Sequence, residues 1–211
     1  MKRLVAFTGA GISVASGLPT FDFCWRGIPA RDLLTLPFFL RDPEQFYAFF
    51  REALAAWTGA APNEAHLALA RARIPVVTQN IDGLHQRAGS ESVCELHGSL
   101  REMVCLTCGW RVGLSLPKDG PPLCRCGKVL KPDVVLFEEP LQDWEEALAL
   151  LASADHVLVV GTSLAVAPAC YLPQLAARQG ATIELLNEDA PRQVPLAIER
   201  LRRKGEAGVL V

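Results

Sequence analysis

Two patterns alternate along the chain. Short runs of consecutive apolar residues, such as Leu4-Val5-Ala6-Phe7 and Val157-Leu158-Val159-Val160, are separated by stretches whose apolar residues recur every third or fourth position. Runs of the first kind, closed by glycine or polar residues, mark strands buried on both faces of a parallel sheet. Strands are predicted at residues 5–7, 76–78, 93–96, 134–137, 156–160 and 183–186. The second pattern predicts helices. Asp42-Pro43-Glu44 supplies an N-cap followed by proline at the first helical position, and Phe46, Phe49, Phe50 and Leu54 follow at helical spacing to about residue 57. Asn63 caps a second helix holding Ala65, Leu67, Leu69 and Ala70, and two more are expected at 143–152 and 169–178. A helix can also open at Ser13 to Ser16, after the Gly9-Ala10-Gly11 turn. Strands alternating with helices from Val157 onward argue for a doubly wound α/β fold. Between residues 101 and 132 the periodicity lapses and four cysteines appear among glycines and prolines, which reads as a compact metal-held insertion.

Composition narrows the picture. With 211 residues, 50% of them hydrophobic, and a formal charge of −2, the chain can bury a core of one or two domains and is not a disordered protein. Its 21 Lys and Arg against 23 Asp and Glu leave no basic excess for neutralising phosphates, so nucleic acid is not an expected partner. Met1-Lys2-Arg3 before an apolar run imitates a secretory leader. The run is only Leu4 to Phe7 and stops at Thr8-Gly9, so it reads as a buried first strand. No apolar run approaches membrane-spanning length. Seven cysteines are odd in number and too few for a disulfide scaffold, which favours a reducing, cytoplasmic setting.

Three constellations carry candidate chemistry. Cys105-Leu-Thr-Cys108 and Cys124-Arg-Cys126 each neighbour a glycine, Gly109 and Gly127, that permits a knuckle turn. Four thiolates make a closed tetrahedral zinc site that holds structure and binds no substrate. Cys24, Cys94 and Cys170 are left as single thiols, the last two expected to be buried and Cys24 exposed. Gly9-Ala10-Gly11-Ile12-Ser13 follows a strand and can bring the backbone close to a pyrophosphate, although a glycine-rich turn occurs in any α/β protein. Thr78-Gln79-Asn80-Ile81-Asp82 lies at the carboxyl end of a buried strand, where ligand sites of α/β folds form; a polar loop with Asp82 as a cap fits equally. His85 and His97 are both candidate bases, and residue chemistry does not separate them. His66 and His156 read as structural.

Taken together these pieces resemble the sirtuin family of NAD-dependent protein deacylases. The matching segments, in family order, are residues 9–13, Ser-Gly-Leu-Pro-Thr-Phe at 16–21, 78–85, Glu-Leu-His-Gly at 95–98, the cysteine pairs, Lys-Pro-Asp-Val-Val-Leu-Phe at 131–137, Gly-Thr-Ser-Leu-Ala-Val-Ala-Pro-Ala at 161–169 and Leu-Asn-Glu at 186–188. The resemblance implies a Rossmann-like domain assembled from residues 1–30, 72–100 and 133–211. It also implies a small domain made of a helical insertion, 31–71, and a zinc module, 101–132. It assigns NAD binding to Gly9, Ala10, Gly11, Ile12, Ser13, Phe21, Gln79, Asn80 and Asp82, and the adenosine half to Gly161, Thr162, Ser163, Asn187 and Ala207. His97 becomes the catalytic base, helped by Asn80 and Asp82. Val134, Val135, Leu136 and Phe137 become the edge that pairs with an extended acyl-lysine peptide. The implied reaction yields nicotinamide, free lysine and O-acyl-ADP-ribose, with NAD as co-substrate and one structural Zn2+. NAD hydrolysis or ADP-ribosylation on the same site, and an NAD-sensing module, are the alternatives.

Three positions depart from the family pattern. Asp22 stands where an arginine is usual in the loop over NAD, and the loop looks about three residues short. A carboxylate beside a pyrophosphate repels it, so weakened NAD affinity is expected, with Arg26 the candidate replacement. Phe50 and Ala53 occupy the positions of a Tyr-x-x-Arg pair that reads acidic acyl groups, so acetyl or another neutral acyl is expected over succinyl, Arg51 being the one nearby guanidinium. Glu138 replaces the glycine of a usual Phe-Gly-Glu and is expected to constrain the substrate loop.

Overall fold

A computed structural model describes residues 3–20 and 23–207, the side chains to residue 203. Phe21 and Asp22, and the surroundings of Ala207, lie outside the described residues. The chain opens with β1 (Leu4–Thr8) and a seven-residue 3-10 helix, Ala10–Ser16, where only a helical start at Ser13 was expected. A two-stranded ribbon of β2 (Cys24–Trp25) and β3 (Ile28–Pro29) leads into α1 (Ala30–Leu33), α2 (Leu36–Arg41), α3 (Pro43–Gly59) and α4 (Glu64–Arg71). Asp42 and Asn63 cap α3 and α4 through side-chain hydrogen bonds to the backbone N–H groups of Gln45 and Ala65. Next come β4 (Val76–Thr78), α5 (Leu84–Arg87), β5 (Val93–Glu95), β6 (Gly98–Val104), β7 (Arg111–Gly113) and β8 (Lys131–Val134). The chain finishes with α6 (Trp144–Ala152), β9 (His156–Val160), α7 (Tyr171–Arg178), β10 (Thr182–Leu186) and α8 (Ala190–Ala207).

Five strands form one parallel sheet in the order β10-β9-β1-β4-β5. Its inner strands β9, β1 and β4 are buried along both faces because both faces are covered, whereas the edge strand β10 is partly exposed. Ala6, Val76, Leu158 and Val160 point into a core shared with Leu69 of α4 and Val194 and Ile198 of α8. Val5, Phe7, Val77, Val157 and Val159 point the other way, against Ala147 and Leu151 of α6 and Leu172 of α7. The alternation along Val157 to Val160 thus sorts neighbours to opposite layers. α4 belongs to the first of these cores, although it falls within the 31–71 segment, whereas α2 and α3 pack Phe38, Phe39, Phe46, Tyr47, Phe49 and Phe50 into a separate aromatic core with Val134 and Leu136.

The cysteine segment is built on the antiparallel sheet β7-β6-β8. Gly109 and Gly127 adopt left-handed backbone, φ 71° and 79°, closing both knuckles as the sequence required. Two residues of α3 dock this module: the Tyr47 hydroxyl donates to Leu130 O, and the Arg51 guanidinium donates to the carbonyls of Pro117 and Gly120. Cys94 and Cys170 are buried and Cys24 is exposed, as expected. Among the described residues no helix is long and apolar enough to cross a membrane.

Candidate active site

At the carboxyl ends of β1, β4 and β9 three turns meet, and glycine decides how closely. A methyl group added at Gly11 would lie 2.6 Å from Gly161 Cα, and one at Gly161 only 2.1 Å from Ile12 N. Gly11 N–H donates to Gly161 O at 2.8 Å, and Gly9 N–H to Val160 O at 3.0 Å. These glycines therefore let two strand-end turns interlock backbone to backbone, a reason beyond the tight turn and the pyrophosphate approach expected of Gly9 and Gly11. The Ile12 side chain goes into the sheet core. The interlock turns Ala10 and Ser13 toward a cavity of about 440 Å³ that Gln79, Asn80, Asp82 and His97 also line.

The polar side chains lining this cavity, Ser13, Gln79, Asn80 and Asp82, are held by one another and by Thr162 and Asn187, which with Gly161 and Ser163 lie next to the cavity and not on its lining. Asn80 Nδ2 donates to Gly9 O and to Ser13 Oγ, both at 3.2 Å, and Ser13 Oγ donates to Asp82 Oδ2 at 2.7 Å. Gln79 Nε2 donates to Thr162 Oγ1 at 3.1 Å, and Thr162 N–H donates to Asn187 Oδ1 at 3.0 Å. That chain of bonds ties the turn after β4 to those after β9 and β10. Ser163 is exposed beside it.

The structure separates the two histidines. His97, between β5 and β6, is partly buried and lines the cavity. Its Nδ1 lies 2.7 Å from Gln79 O, and a carbonyl oxygen can only accept, so Nδ1 carries the proton and Nε2 is left as the basic nitrogen. Burial lowers its pKa below the ordinary 6.5, partly offset by the Gln79 carbonyl, so the ring is neutral at neutral pH. Gly98 after it cannot carry a side chain, because a Cβ would lie 2.2 Å from Asp133 O. His85 is fully buried and does not line the cavity. His66 serves in the cap of α4, and His156 faces Glu184 at 3.2 Å, both structural as expected.

The segment expected as a strand at 134–137 is displaced: β8 ends at Val134. Beyond it Val135 N–H donates to His97 O at 2.8 Å, while Phe137 N–H donates to Leu34 O at 2.9 Å, so the backbone changes partner and forms no regular ladder. Residues 134–137 nonetheless all line the cavity. A buried ion pair braces them. Lys131 Nζ lies 2.8 Å from Glu139 Oε2 and donates to Val134 O at 2.5 Å, and the same carboxylate oxygen accepts Leu136 N–H at 2.8 Å. Glu138 holds φ 76°, the left-handed region its glycine-like position demands.

Of the wall opposite, the resemblance had singled out only Phe50 and Ala53. Phe49, Phe50, Ala53, Ala56 and Trp57 of α3 line the cavity, a stripe at helical spacing that could have been read from the sequence. Arg51 points away to the cysteine module, so it offers no cation to this wall. Glu52 lines the cavity with its carboxylate bonded to Trp25 Nε1 at 2.7 Å and to Arg26 at 2.8 Å. Arg26, the candidate replacement for the missing arginine, is thereby paired and stacked on Trp25.

The four cysteine sulfurs lie within 4.8 Å of one another, with Cys105 and Cys126 3.6 Å apart and Cys108 and Cys124 3.5 Å apart. Zinc–sulfur bonds of about 2.3 Å place tetrahedral thiolates about 3.8 Å apart, so the four fit one zinc ion.

The chain is similar to proteins of known type. The model of the Sir2 family matches residues 9–168. An "NAD-dependent protein deacylase" of Aeropyrum pernix is 44% identical over 215 aligned positions, covering 95% of this chain and 86% of that protein. An "NAD-dependent protein deacetylase" of Sulfurisphaera tokodaii is 42% identical, covering 89% and 80%. Among solved structures, a Sir2 homolog–NAD complex superposes with a TM-score of 0.88 at 35% identity, covering 96% of this chain and 90% of that one. A Sir2 protein bound to acetylated peptide superposes with a TM-score of 0.82 at 33% identity, covering 97% and 93%.

Proposed function

The chain belongs to the Sir2 family, and on that premise we propose how its cavity works as an NAD-dependent protein-lysine deacylase. In this reading the acyl group moves from lysine to ADP-ribose and nicotinamide is released, which a Sir2 homologue held in complex with 2'-O-acetyl ADP-ribose supports. NAD is held by the interlocked turns of Ala10 to Ser13 and Gly161 to Ser163, with Gln79, Asn80 and Asp82 at its nicotinamide ribose and Asn187 at its adenosine end. The residues fit such a ligand: a cradle of glycine backbone closes against polar side chains that already share one cavity. When bound, NAD supplies a ribose carbon that becomes electrophilic as nicotinamide leaves.

The observation that carries the reading is the His97 tautomer. With Nδ1 committed to Gln79 O, Nε2 is an unprotonated base on a ring sharing a cavity with Asn80 and Asp82. It can take the proton of a ribose hydroxyl, the step that frees that hydroxyl to attack the acyl carbon. Residues 134–137 accept the acyl-lysine peptide, and the Lys131–Glu139 pair keeps that segment in place.

The acyl wall supports a neutral acyl group. Phe50 and Ala53 both face the cavity, Arg51 is diverted, and the Glu52 carboxylate there is already paired with Arg26. A cytoplasmic setting belongs to the same proposal, supported by four thiolates that must stay reduced to hold zinc. Replacing His97 with alanine tests the assignment: deacylation must fall by about 10²–10⁴-fold.

A further inference from the structure

Two histidines are buried behind the cavity floor. His66 on α4 is 0% exposed and His85 on α5 is 1% exposed, with their rings edge to face at 4.9 Å. Neither lines the cavity, and the mechanism above uses neither. Burying two imidazoles against each other is costly where leucine and phenylalanine fill space, so a reason specific to the polar ring is called for.

The hydrogen bonds supply one. His85 Nε2 lies 3.0 Å from Thr8 Oγ1, which donates to Thr78 Oγ1 at 2.8 Å. Thr8 and Thr78 are partners across β1 and β4, each ending its strand. Thr78 Oγ1 also accepts Asn80 N–H at 3.0 Å. From Asn80 the chain continues through Ser13 Oγ to Asp82, whose second oxygen accepts Leu84 N–H at 2.9 Å. Leu84 precedes His85, so the bonds close into a loop that starts and ends in the first turn of α5. Asn80 and Asp82 lie on that loop. From outside, Asn63 at the head of α4 grips the 3-10 helix that carries Ser13, donating to Ile12 O at 2.8 Å and Ser16 Oγ at 2.9 Å.

We propose that His85 is a positioning residue for the deacylase reaction: through Thr8 and Thr78 it fixes the backbone of Asn80 and so the placement of Asn80 and Asp82. It touches no substrate. Among the described residues Nε2 is the ring nitrogen of His85 with a partner, and the buried Nδ1 has none. The role therefore depends on one polar atom at one position. Glutamine places an amide group near Nε2; asparagine places it near Nδ1; leucine fills the volume with no hydrogen-bonding group.

The inference rests on the deacylase reading, and the experiment separates the two. Full-length wild type, H85Q, H85N, H85L and T8V are compared by steady-state turnover of an acetyl-lysine peptide with NAD. We expect H85Q to keep kcat within about 3-fold of wild type. H85N, H85L and T8V should lose about 10- to 100-fold in kcat, the usual effect of removing an outer partner that orients catalytic groups, with the peptide KM within about 2-fold. The double variant H85L/T8V should be no slower than the slower single, because both break the same link. T8V swaps a hydroxyl for a methyl and carries the test if H85L does not fold. Equal kcat for H85Q and H85L, T8V with wild-type kcat, or multiplicative losses in the double variant would overturn the inference alone. A wild-type protein that forms no O-acetyl-ADP-ribose would overturn the deacylase reading and the inference with it.

Discussion

Acidification should cost this protein stability through its buried histidines, by an amount the structure sets. Burial pushes His85 down to about 3 and His66 down to about 4, against an ordinary 6.5 for an exposed imidazole. The unfolded chain takes up both protons near 6.5, while the folded protein refuses them until near 3 and 4. Between those values the unfolded state binds more protons, so stability is complete above 6.5 and is lost as pH falls. Each pH unit of the gap is about 1.4 kcal/mol for each group. From 6.5 down to about pH 5 is about 1.5 units, hence about 2 kcal/mol for His85 and about 4 kcal/mol for the pair. That is a large part of the 5–15 kcal/mol or so typical of a folded domain. The assay is urea unfolding of wild type and H85Q, followed by tryptophan fluorescence at about pH 7 and about pH 5. Zinc loss and carboxylate titration are common to both proteins and cancel in the difference. Wild type should lose about 2 kcal/mol more than H85Q over that interval. A wild-type-minus-variant difference that does not change with pH would refute the claim that the fold holds His85 neutral.

Other perturbations follow from the same geometry. The acid limb of kcat/KM should fall below pH 6.5, because burial depresses His97 and the base must be neutral; a limb above 6.5 would contradict its environment. Glu138→Gly should raise unfolding stability by about 0.5–1 kcal/mol, relieving a left-handed backbone at φ 76°; thermal unfolding reads it, and an unchanged or lower stability would refute the strain. On matched peptides kcat/KM for acetyl-lysine should exceed that for succinyl-lysine by about tenfold or more, since Arg51 is diverted to the cysteine module and Arg26 is taken up by Glu52; parity would count against this account of the wall.

Much of the sheet was legible because its inner strands are apolar on both faces, and a continuous run such as Val157 to Val160 has few other readings. The helix starts at Asp42 and Asn63 were equally plain, since capping chemistry is local. The displaced strand near residue 134 was not. What ends β8 is a buried Lys131 whose partner, Glu139, lies past the turn, and a pairing of that kind leaves no periodic trace. The glycines were found but given too narrow a reason: Gly11 and Gly161 are 150 positions apart in sequence, and only the folded chain shows that each makes room for the other. His85 and His97 could not be ranked from sequence because the difference is one of partners, a carbonyl on the cavity wall for one and a buried hydroxyl for the other. The amphipathic helix α8 opens on Asp189-Ala190-Pro191, a start signal of the same kind as Asp42-Pro43 that the sequence reading passed over.

The central claim is that this cavity transfers an acyl group from lysine to ADP-ribose. Its most direct test is mass spectrometry of an acetyl-lysine peptide incubated with the zinc-loaded protein, with and without NAD. Deacetylated peptide, nicotinamide and O-acetyl-ADP-ribose should appear in equal amounts, only when NAD is present, and should vanish with His97→Ala. Nicotinamide released at the same rate without peptide, with ADP-ribose as the sole partner product, would contradict the account.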